Sequence, residues 1–180
     1  MADGMGGTLV RIAGFAVAIV MVLVACRLRR LPLKETLALR WPSPRAALLW
    51  LGLFALLVAA LEGVGRLLGV PPVEPWTQPA AVTAVRLLGI VILAPVAEEL
   101  IFRGLLFTRL RATRAGAPGA VILTAVLFAA FHLQYSPAEM TLVLIDGLFY
   151  GLVRWRTDST FLTIAMHAAG NLLAVWQRLG

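Results

Sequence analysis

Charged residues are scarce in this sequence. Of its 180 residues, 14% are charged and 61% are hydrophobic, and the mean hydropathy is +0.90. A soluble globular protein has about 45–50% apolar and about 25% charged residues. The shortage of charge therefore excludes a soluble domain with one membrane anchor. It indicates a polytopic chain that lies in a lipid bilayer over most of its length.

Cysteine, lysine and histidine are also rare. The single cysteine, Cys26, excludes an intrachain disulfide bond. The net charge of +7 comes almost entirely from arginine, because Lys34 is the one lysine. In so apolar a chain this charge is typical of a membrane topology signal and of contact with lipid headgroups, so we expect no nucleic acid partner. The two histidines, His132 and His167, both lie in apolar segments.

Six apolar segments approach the roughly 20 residues that a membrane-spanning helix needs. They are Leu9–Ala25, Ala46–Leu61, Val82–Phe107, Ala117–Leu133, Ala138–Val153 and Thr160–Trp176. Pro118 and Pro137 lie near helix starts, where a missing N–H costs little, and the prolines between Gly69 and Pro79 predict a loop. We expect an all-α membrane bundle of about six transmembrane helices. It forms a single domain over residues 1–180, with the motif-bearing core at about 82–176.

The basic residues in the connections predict the orientation. Eleven of them lie in the first, third and fifth connections: Arg27, Arg29, Arg30, Lys34, Arg40, Arg45, Arg109, Arg111, Arg114, Arg154 and Arg156. The even connections carry only Arg66, with Arg86 just inside the third segment. The odd connections are therefore expected in the cytoplasm and both termini outside. The basic, amphipathic stretch Leu31–Trp41 is expected in the cytoplasmic interface. The arginine-rich, lysine-poor composition suggests a bacterial chain, which predicts a multi-pass protein of the inner (plasma) membrane.

Two adjacent carboxylates, Glu98 and Glu99, lie in the middle of the third segment. Ionisable groups at membrane depth are costly and mark functional sites. Glu99 and Arg103 have the i,i+4 spacing of a helical ion pair, with the acid first. Glu98 points elsewhere around the helix and lacks a local cation, which suits a general base. A purely structural glutamate–arginine clamp is the alternative at this stretch.

Three further polar groups lie in later apolar segments. His132 is i,i+4 from Phe128, and His167 is i,i+4 from Asn171, so we expect His167 and Asn171 to meet the same partner. Amide hydrolysis needs a base for water and donors for the oxyanion, and Glu98 with His167 and Asn171 can supply both. One glutamate and two histidines also form a zinc ligand set, although their spacing is not that of H-E-x-x-H.

Asp146 lies in the fifth segment beside Gly147 and five residues before Gly151. The glycines predict close helix packing. A carboxylate in this apolar context needs a partner, and Arg103 and His167 are the candidates. We expect Asp146 to support the site without touching the substrate.

The motifs Glu98-Glu99-x-x-x-Arg103, Phe128-x-x-x-His132 and His167-x-x-x-Asn171 resemble, in order, those of the CPBP family of intramembrane proteases. This family is also called the CAAX-protease and bacteriocin-processing, or Abi, family. The resemblance covers about Ala94–Leu173. It implies that Glu98 activates water, that His132 assists, and that His167 and Asn171 stabilise the oxyanion. Glu99, Arg103 and Phe128 are then supporting residues, and no cofactor is expected, with zinc as the minority alternative.

The resemblance implies a membrane-anchored protein or peptide substrate, such as a C-terminal sorting signal or a bacteriocin-type precursor. Two alternatives remain open: a catalytically silent immunity or scaffold protein, and a transporter that uses these groups as a proton relay. At 1.5 Å per residue from Thr160, His167 lies roughly 10 Å deep and Asn171 roughly 16 Å. His132 then lies near the outer surface beside Gln134–Ser136, so we expect the site to open toward the outer face.

Overall fold

The computed structural model of the chain describes residues 4–71 and 74–179. Regular secondary structure in this part of the chain is helical, which confirms the all-α membrane bundle. The single helices are α1 (Met5–Leu28), α2 (Leu33–Thr36), α3 (Pro44–Leu67), α7 (Gly116–Ala130), α8 (Pro137–Thr157) and α9 (Thr160–Leu179). Between α3 and α7, a long helix runs from Ala80 to Arg111 in five pieces that are described below.

Five of the six expected segments lie within these helices, and the fourth, Ala117–Leu133, extends three residues beyond the end of α7 at Ala130. By length and composition, Met5–Leu28, Pro44–Leu67 and Ala80–Arg111 can cross a membrane, and Gly116–Ala130 is a shorter apolar helix. Helices α8 and α9 have 21 and 20 residues, which is long enough to span. They are less apolar because they carry charged and polar side chains, among them Asp146 on α8 and His167 and Asn171 on α9.

The long helix changes its winding on both sides of the glutamate pair. It consists of α4 (Ala80–Leu87), a first π-helical segment (Leu88–Leu93), α5 (Ala94–Glu99), a second π-helical segment (Leu100–Leu106) and α6 (Phe107–Arg111). A π turn joins residues i and i+5, and such turns are frequent at functional sites. The hydrophobic pattern of Val82–Phe107 predicted a single continuous helix without these segments.

Helices α7 and α8 pack closely through the glycines of α8, as the sequence predicts. A Cβ atom at Gly147 would lie 3.1 Å from the Cα atom of Ala125, and one at Gly151 would lie 3.3 Å from the Cα atom of Val121. Small residues allow helix backbones to approach in this way. Pro137 begins α8, where Ser136 and Glu139 form a capping box.

The stretch Leu31–Trp41 does not lie entirely on the surface, as its amphipathic pattern had suggested. Leu37 and Ala38 are both fully buried, and a Cβ atom at Gly104 would lie 3.1 Å from the side chain of Leu37. The Ala38 carbonyl also accepts the N–H of Thr160 at the start of α9. The centre of this stretch packs into the bundle, whereas its charged residues and the apolar side chains of Leu33 and Trp41 are exposed and free to meet the interface.

Asp158, between α8 and α9, joins the first, third and fifth connections at one end of the bundle. Its carboxylate pairs with Arg40 at 3.1 Å, with Arg111 at 3.3 Å and with Arg154. We call this the basic end. Three of the arginines that predicted the topology therefore meet at one end of the bundle, and the orientation of that end in the membrane stays a prediction.

The predicted loop between α3 and α4 lies at the opposite end. Its Pro72 and Val73 are outside the described residues. The N–H of Trp76 donates to the carbonyl of Arg178, and the guanidinium of Arg86 lies 4.6 Å from the centroid of the Trp76 ring. These contacts hold the loop against the last turn of α9.

Candidate active site

Glu99 and Arg103 form a buried ion pair within the long helix. Both side chains are 0% exposed, and Arg103 Nη1 donates to Glu99 Oε1 at 3.0 Å. Arg103 Nη2 donates to the carbonyl of Gly147 on α8 at 3.0 Å, and its guanidinium lies 4.6 Å from the ring centroid of Phe128 on α7. The pair expected from the i,i+4 spacing is therefore formed. It also joins the long helix to α7 and α8.

Helix α9 places the imidazole of His167 beside both glutamates. Its Nδ1 lies 3.1 Å from Glu99 Oε1, and its Nε2 lies 3.8 Å from Glu98 Oε2. Because a carboxylate can only accept, the proton of this hydrogen bond belongs to Nδ1. The Tyr150 ring stacks on the imidazole at 5.5 Å between centroids, and the Phe128 ring meets it edge-on at 5.7 Å. These contacts fix the plane of the ring.

The two glutamates have different surroundings, although they are neighbours in sequence. The Glu99 side chain is fully buried, whereas that of Glu98 is 22% exposed and forms no ion pair with Arg103 among the described contacts. The imidazole of His167 is the ring nearest to Glu98, with Nε2 at 3.8 Å from its carboxylate. Glu98 is therefore the carboxylate that water can reach.

His132 lies in the turn that follows α7. Its Nδ1 is 2.8 Å from the carbonyl oxygen of Phe128. A carbonyl only accepts, so Nδ1 carries a proton, and Nε2 of the neutral ring is left as an acceptor. Phe128 and Tyr135 hold the ring, with centroids at 4.9 and 5.4 Å. This arrangement leaves Nε2 available to accept or relay a proton.

Asn171 does not share a partner with His167, so that prediction is wrong. Its Nδ2 donates at 2.8 Å to the carbonyl of Ile90, which lies in the first π-helical segment. The expectation assumed that two side chains one turn apart on α9 face one group. The long helix passes along α9, so the second side chain meets an earlier turn of it.

Arg103 and His167, the two partners that the sequence context suggested for Asp146, both act on its carboxylate electrostatically, but neither bonds to it directly. Within the described residues Asp146 forms no hydrogen bond and no ion pair, and Arg103 instead donates to the carbonyl of the next residue, Gly147. Asp146 lies in the wall of the main cavity, where its carboxylate can meet solvent or a ligand. A carboxylate buried in a packed core would need a bonded protein partner, but Asp146 faces a cavity and can be solvated there.

A cavity of about 660 Å³ lies between α3, α8 and α9, in the half of the bundle away from the basic end. Its wall contains three of the four predicted catalytic residues, His132, His167 and Asn171, together with Asp146. Glu98 does not line the cavity itself. Its carboxylate lies 3.8 Å from His167, which does line it. Apolar side chains of α3 complete the opposite side: Phe54, Val58 and Leu61. This cavity is large enough for a peptide segment with apolar side chains.

The wall reaches the end of the bundle through the last turns of α3 and α9 and through the turn after α7. Arg66, Gln177 and Tyr135 mark these three places. The predicted opening beside Gln134–Ser136 therefore agrees with where the cavity lies in the bundle.

Metal ligation is the other chemistry that two histidines and carboxylates can support. In residues 4–71 and 74–179, no group of three or more His, Cys, Asp or Glu side chains is arranged to hold a metal ion. The Nδ1 atoms of His132 and His167 are already hydrogen-bonded to Phe128 and Glu99. Each imidazole thus keeps only Nε2 for another ligand.

Tyr150 is a site residue that sequence reasoning did not find. It is 3% exposed, stacks on His167 and lines the cavity. Its ring also lies 5.5 Å from the guanidinium of Arg103. One signal was present in the sequence, since Tyr150 is i,i+4 from Asp146 and so shares its helix face.

Comparisons with known proteins agree with the resemblance of the motifs. A protein-family model described as type II CAAX prenyl endopeptidase Rce1-like matches residues 80–173. This segment is 94 of the 180 residues and contains every site residue described above. Neither the comparison with curated proteins nor that with solved structures gave a match.

Proposed function

Because this chain belongs to the type II CAAX prenyl endopeptidase Rce1-like family, we propose that it is an intramembrane endopeptidase in which Glu98 activates the attacking water. The family indicates a CAAX-type intramembrane protease in general. The proposal adds the mechanism, the residues and the kind of substrate. One observation supports the proposal most. Both glutamates lie beside the imidazole of His167, but Glu99 is fully buried and paired with Arg103, whereas Glu98 is partly exposed.

In the proposed reaction, the scissile carbonyl lies in the cavity beside His167. Glu98 accepts a proton from water, and Nε2 of His132 assists by accepting or relaying a proton. Water attacks the carbonyl carbon, and the amide C–N bond breaks after the proton reaches the leaving nitrogen. Two groups donate to the oxyanion. One is the Nε2–H of His167, which is present when the ring is protonated. The other is the N–H of the Asn171 side chain that does not bond to the Ile90 carbonyl.

Glu99 and Arg103 take no direct part in this chemistry. Glu99 accepts from Nδ1 of His167, and Arg103 neutralises Glu99. Phe128 and Tyr150 hold the imidazole from two sides. These four residues place His167, and two of them, Phe128 and Tyr150, also line the cavity.

The substrate in this proposal is a membrane-anchored protein or peptide. The apolar wall formed by α3 suits a segment that comes from the bilayer, and the polar groups opposite suit its peptide bond. C-terminal sorting signals and bacteriocin-type precursors are the two classes that we propose for a bacterial host.

Mass spectrometry of peptide termini can test the activity directly. Membranes from cells that express the wild type are compared with membranes that contain Glu98→Gln, and with Glu62→Gln as a matched control at the cavity mouth. We expect new termini within or beside membrane spans for the wild type and the control only. Identical termini in all three samples would contradict the protease and favour a silent scaffold protein.

We also propose that the reaction needs no metal. The support is the absence of a three-ligand cluster in the described part of the chain and the division of roles given above. Activity of the purified protein is expected to survive strong chelation, and metal analysis to find less than one zinc per chain. Loss of activity on chelation, with recovery on adding zinc, would overturn this point.

For the location, we propose a multi-pass protein of the inner membrane with the basic end in the cytoplasm and the cavity open to the outside. The odd connections meet at the basic end, and basic connections stay in the cytoplasm. In a Cys26→Ser background, Gln134→Cys should react with an impermeant thiol reagent from outside, and Ala112→Cys only from inside. The reverse pattern would contradict this orientation.

A further inference from the structure

The backbone carbonyl of Ile90 loses both of its usual donors within the long helix. In an α-helical register it would accept from Ala94, but the Ala94 N–H bonds to Gly89 instead. In a π-helical register it would accept from residue 95, which is a proline and has no N–H. Ile90 lies within the first π-helical segment, five residues before Pro95. A buried carbonyl without a donor is costly.

Asn171 supplies the missing donor from another helix. Its Nδ2 lies 2.8 Å from the Ile90 carbonyl oxygen. One turn earlier on α9, His167 bonds to Glu99 at 3.1 Å. Helix α9 thus holds the long helix at two points, one on each side of Glu98 along the chain.

We infer that Asn171 is a positioning residue that holds the π register before Pro95 and so sets Glu98 and Glu99 against His167. A π turn contains one residue more than an α turn. If the first π segment relaxed to α-helical winding, α5 would rotate relative to α4 and carry both glutamates away from α9. Asn171 can donate to the Ile90 carbonyl as long as no N–H of the long helix takes its place.

This inference deepens the proposed function, since the position of Glu98 matters for water activation. The part that concerns the winding of the long helix does not depend on any catalytic activity. The two can be separated because the bond between Asn171 and Ile90 affects the long helix whether or not the protein cleaves peptides.

A double-mutant cycle between Asn171 and Pro95 tests the inference. Asn171→Ala removes the donor from α9, and Pro95→Ala restores an N–H to the long helix. Gln177→Ala is the matched control, because Gln177 is a side-chain amide of α9 on the same cavity that bonds to Glu62 at 2.9 Å and not to a helix carbonyl. Each variant is made in both backgrounds, Pro95 and Pro95→Ala, in the full chain.

Thermal unfolding and amide hydrogen exchange are measured first, since neither needs a substrate. We expect Asn171→Ala to lower the unfolding temperature and to speed exchange across residues 88–96. Both effects should largely disappear in the Pro95→Ala background. Gln177→Ala should change either quantity by the same small amount in both backgrounds.

Kinetics then separate positioning from a merely structural role. Asn171→Ala is expected to lower kcat by roughly 10- to 100-fold, with KM nearly unchanged, because the base is misplaced and an oxyanion donor is lost while the ground-state contacts of the substrate remain. Pro95→Ala should restore the part of this loss that comes from the misplaced base, and the part that comes from the missing oxyanion donor should persist in the double variant. A fixed loss of kcat in both backgrounds, with no change in exchange, would show that Asn171 acts at the oxyanion only.

If Pro95→Ala fails to fold, Asn171→Asp replaces it. A carboxylate has nearly the same shape but cannot donate, so it should speed exchange across residues 88–96 as Asn171→Ala does. Unchanged exchange in both Asn171 variants would overturn the inference. A protein that shows the exchange effects but cleaves nothing would keep the inference about the register and contradict the proposed function.

Discussion

Two buried arginines, Arg103 and Arg154, have the same ion-pair spacing at neighbouring depths of the bundle. The Arg103 side chain is 0% exposed and that of Arg154 is 2% exposed, and each is i,i+4 from its acid. Arg103 follows Glu99 within the long helix, whereas Arg154 precedes Asp158 at the basic end. Arg154 Nε even donates to the carbonyl of Arg103, so the two lie in adjoining layers.

The two pairs differ in what their acids do besides binding the arginine. Glu99 is fully buried and orients His167, whereas Asp158 is 38% exposed and binds Arg40 and Arg111 as well. The first pair therefore supports a reacting group, and the second joins three connections of the chain. The same spacing in the sequence gave both, so spacing alone does not separate a site from a structural clamp. A site is distinguished from a structural clamp by how deeply the acid is buried and by which other group the acid binds besides its arginine.

Arg103→Met is expected to have the largest effect on stability. It leaves the carboxylate of Glu99 buried without its cation, which costs about 3–5 kcal/mol of unfolding free energy. Proteolysis should be lost with it, because His167 loses a fixed partner. Unfolding in a membrane mimetic measures the change, with Arg109→Met, on an exposed side chain, as control. An effect no larger than that of the control would contradict the account of this pair.

Arg154→Met should cost less, about 1–3 kcal/mol, which is the range for buried groups left without hydrogen bonds. The Arg103 carbonyl and Thr108 lose their donor, but Asp158 keeps Arg40 and Arg111 and is partly solvated. The folded variant should keep its kcat and KM. A loss as large as that of Arg103→Met, or a selective loss of kcat, would remove the distinction between the two pairs.

Asp158→Asn should have the smallest effect, below about 1 kcal/mol, because the carboxylate is partly exposed and the asparagine side-chain oxygen can still accept from Arg154, which also keeps its bonds to Arg103 and Thr108. Burial raises the pKa of Asp158, but the hydrogen bond from Arg154 and the charges of Arg154, Arg40 and Arg111 outweigh it and hold the pKa below its ordinary value. The folded state thus binds this proton less tightly than the unfolded state. The stabilisation is complete above the ordinary pKa and is lost as the pH falls through the lower, folded value.

The measurement for Asp158 is the slope of unfolding free energy against pH in the acid range. Compared with the wild type, Asp158→Asn should show a smaller loss of stability on acidification and no difference in that slope near neutral pH. Parallel curves for the two proteins down to acid pH would mean that the three arginines do not stabilise the charged carboxylate.

Local patterns in the sequence were enough to predict the helices and the Glu99–Arg103 pair. Six apolar runs give six helix positions, and the i,i+4 rule holds within a single helix. The glycines of α8 also predicted its close packing on α7. Each of these features depends on residues that are neighbours along one element.

Contacts between elements could not be predicted in this way. Asn171 meets Ile90, 81 residues earlier in the chain, and the partners of Asp158 come from three connections. The unpartnered Asp146 and the stacking of Tyr150 on His167 depend on where the cavity lies. The first π-helical segment likewise depends, in our inference, on Pro95 together with Asn171 of α9.

The separation of Glu98 from Glu99 is the central claim, and one paired measurement tests it. Cleavage rate and unfolding temperature are measured for Glu98→Gln and Glu99→Gln, with Glu62→Gln as control. Glu98→Gln should lower kcat by about 10²–10⁴-fold with an unchanged unfolding temperature, since it removes a general base from a partly exposed position. Glu99→Gln should lower the unfolding temperature as well as activity, because it leaves Arg103 buried without its anion. Near-full cleavage by Glu98→Gln, together with an inactive but stable Glu99→Gln, would contradict the account.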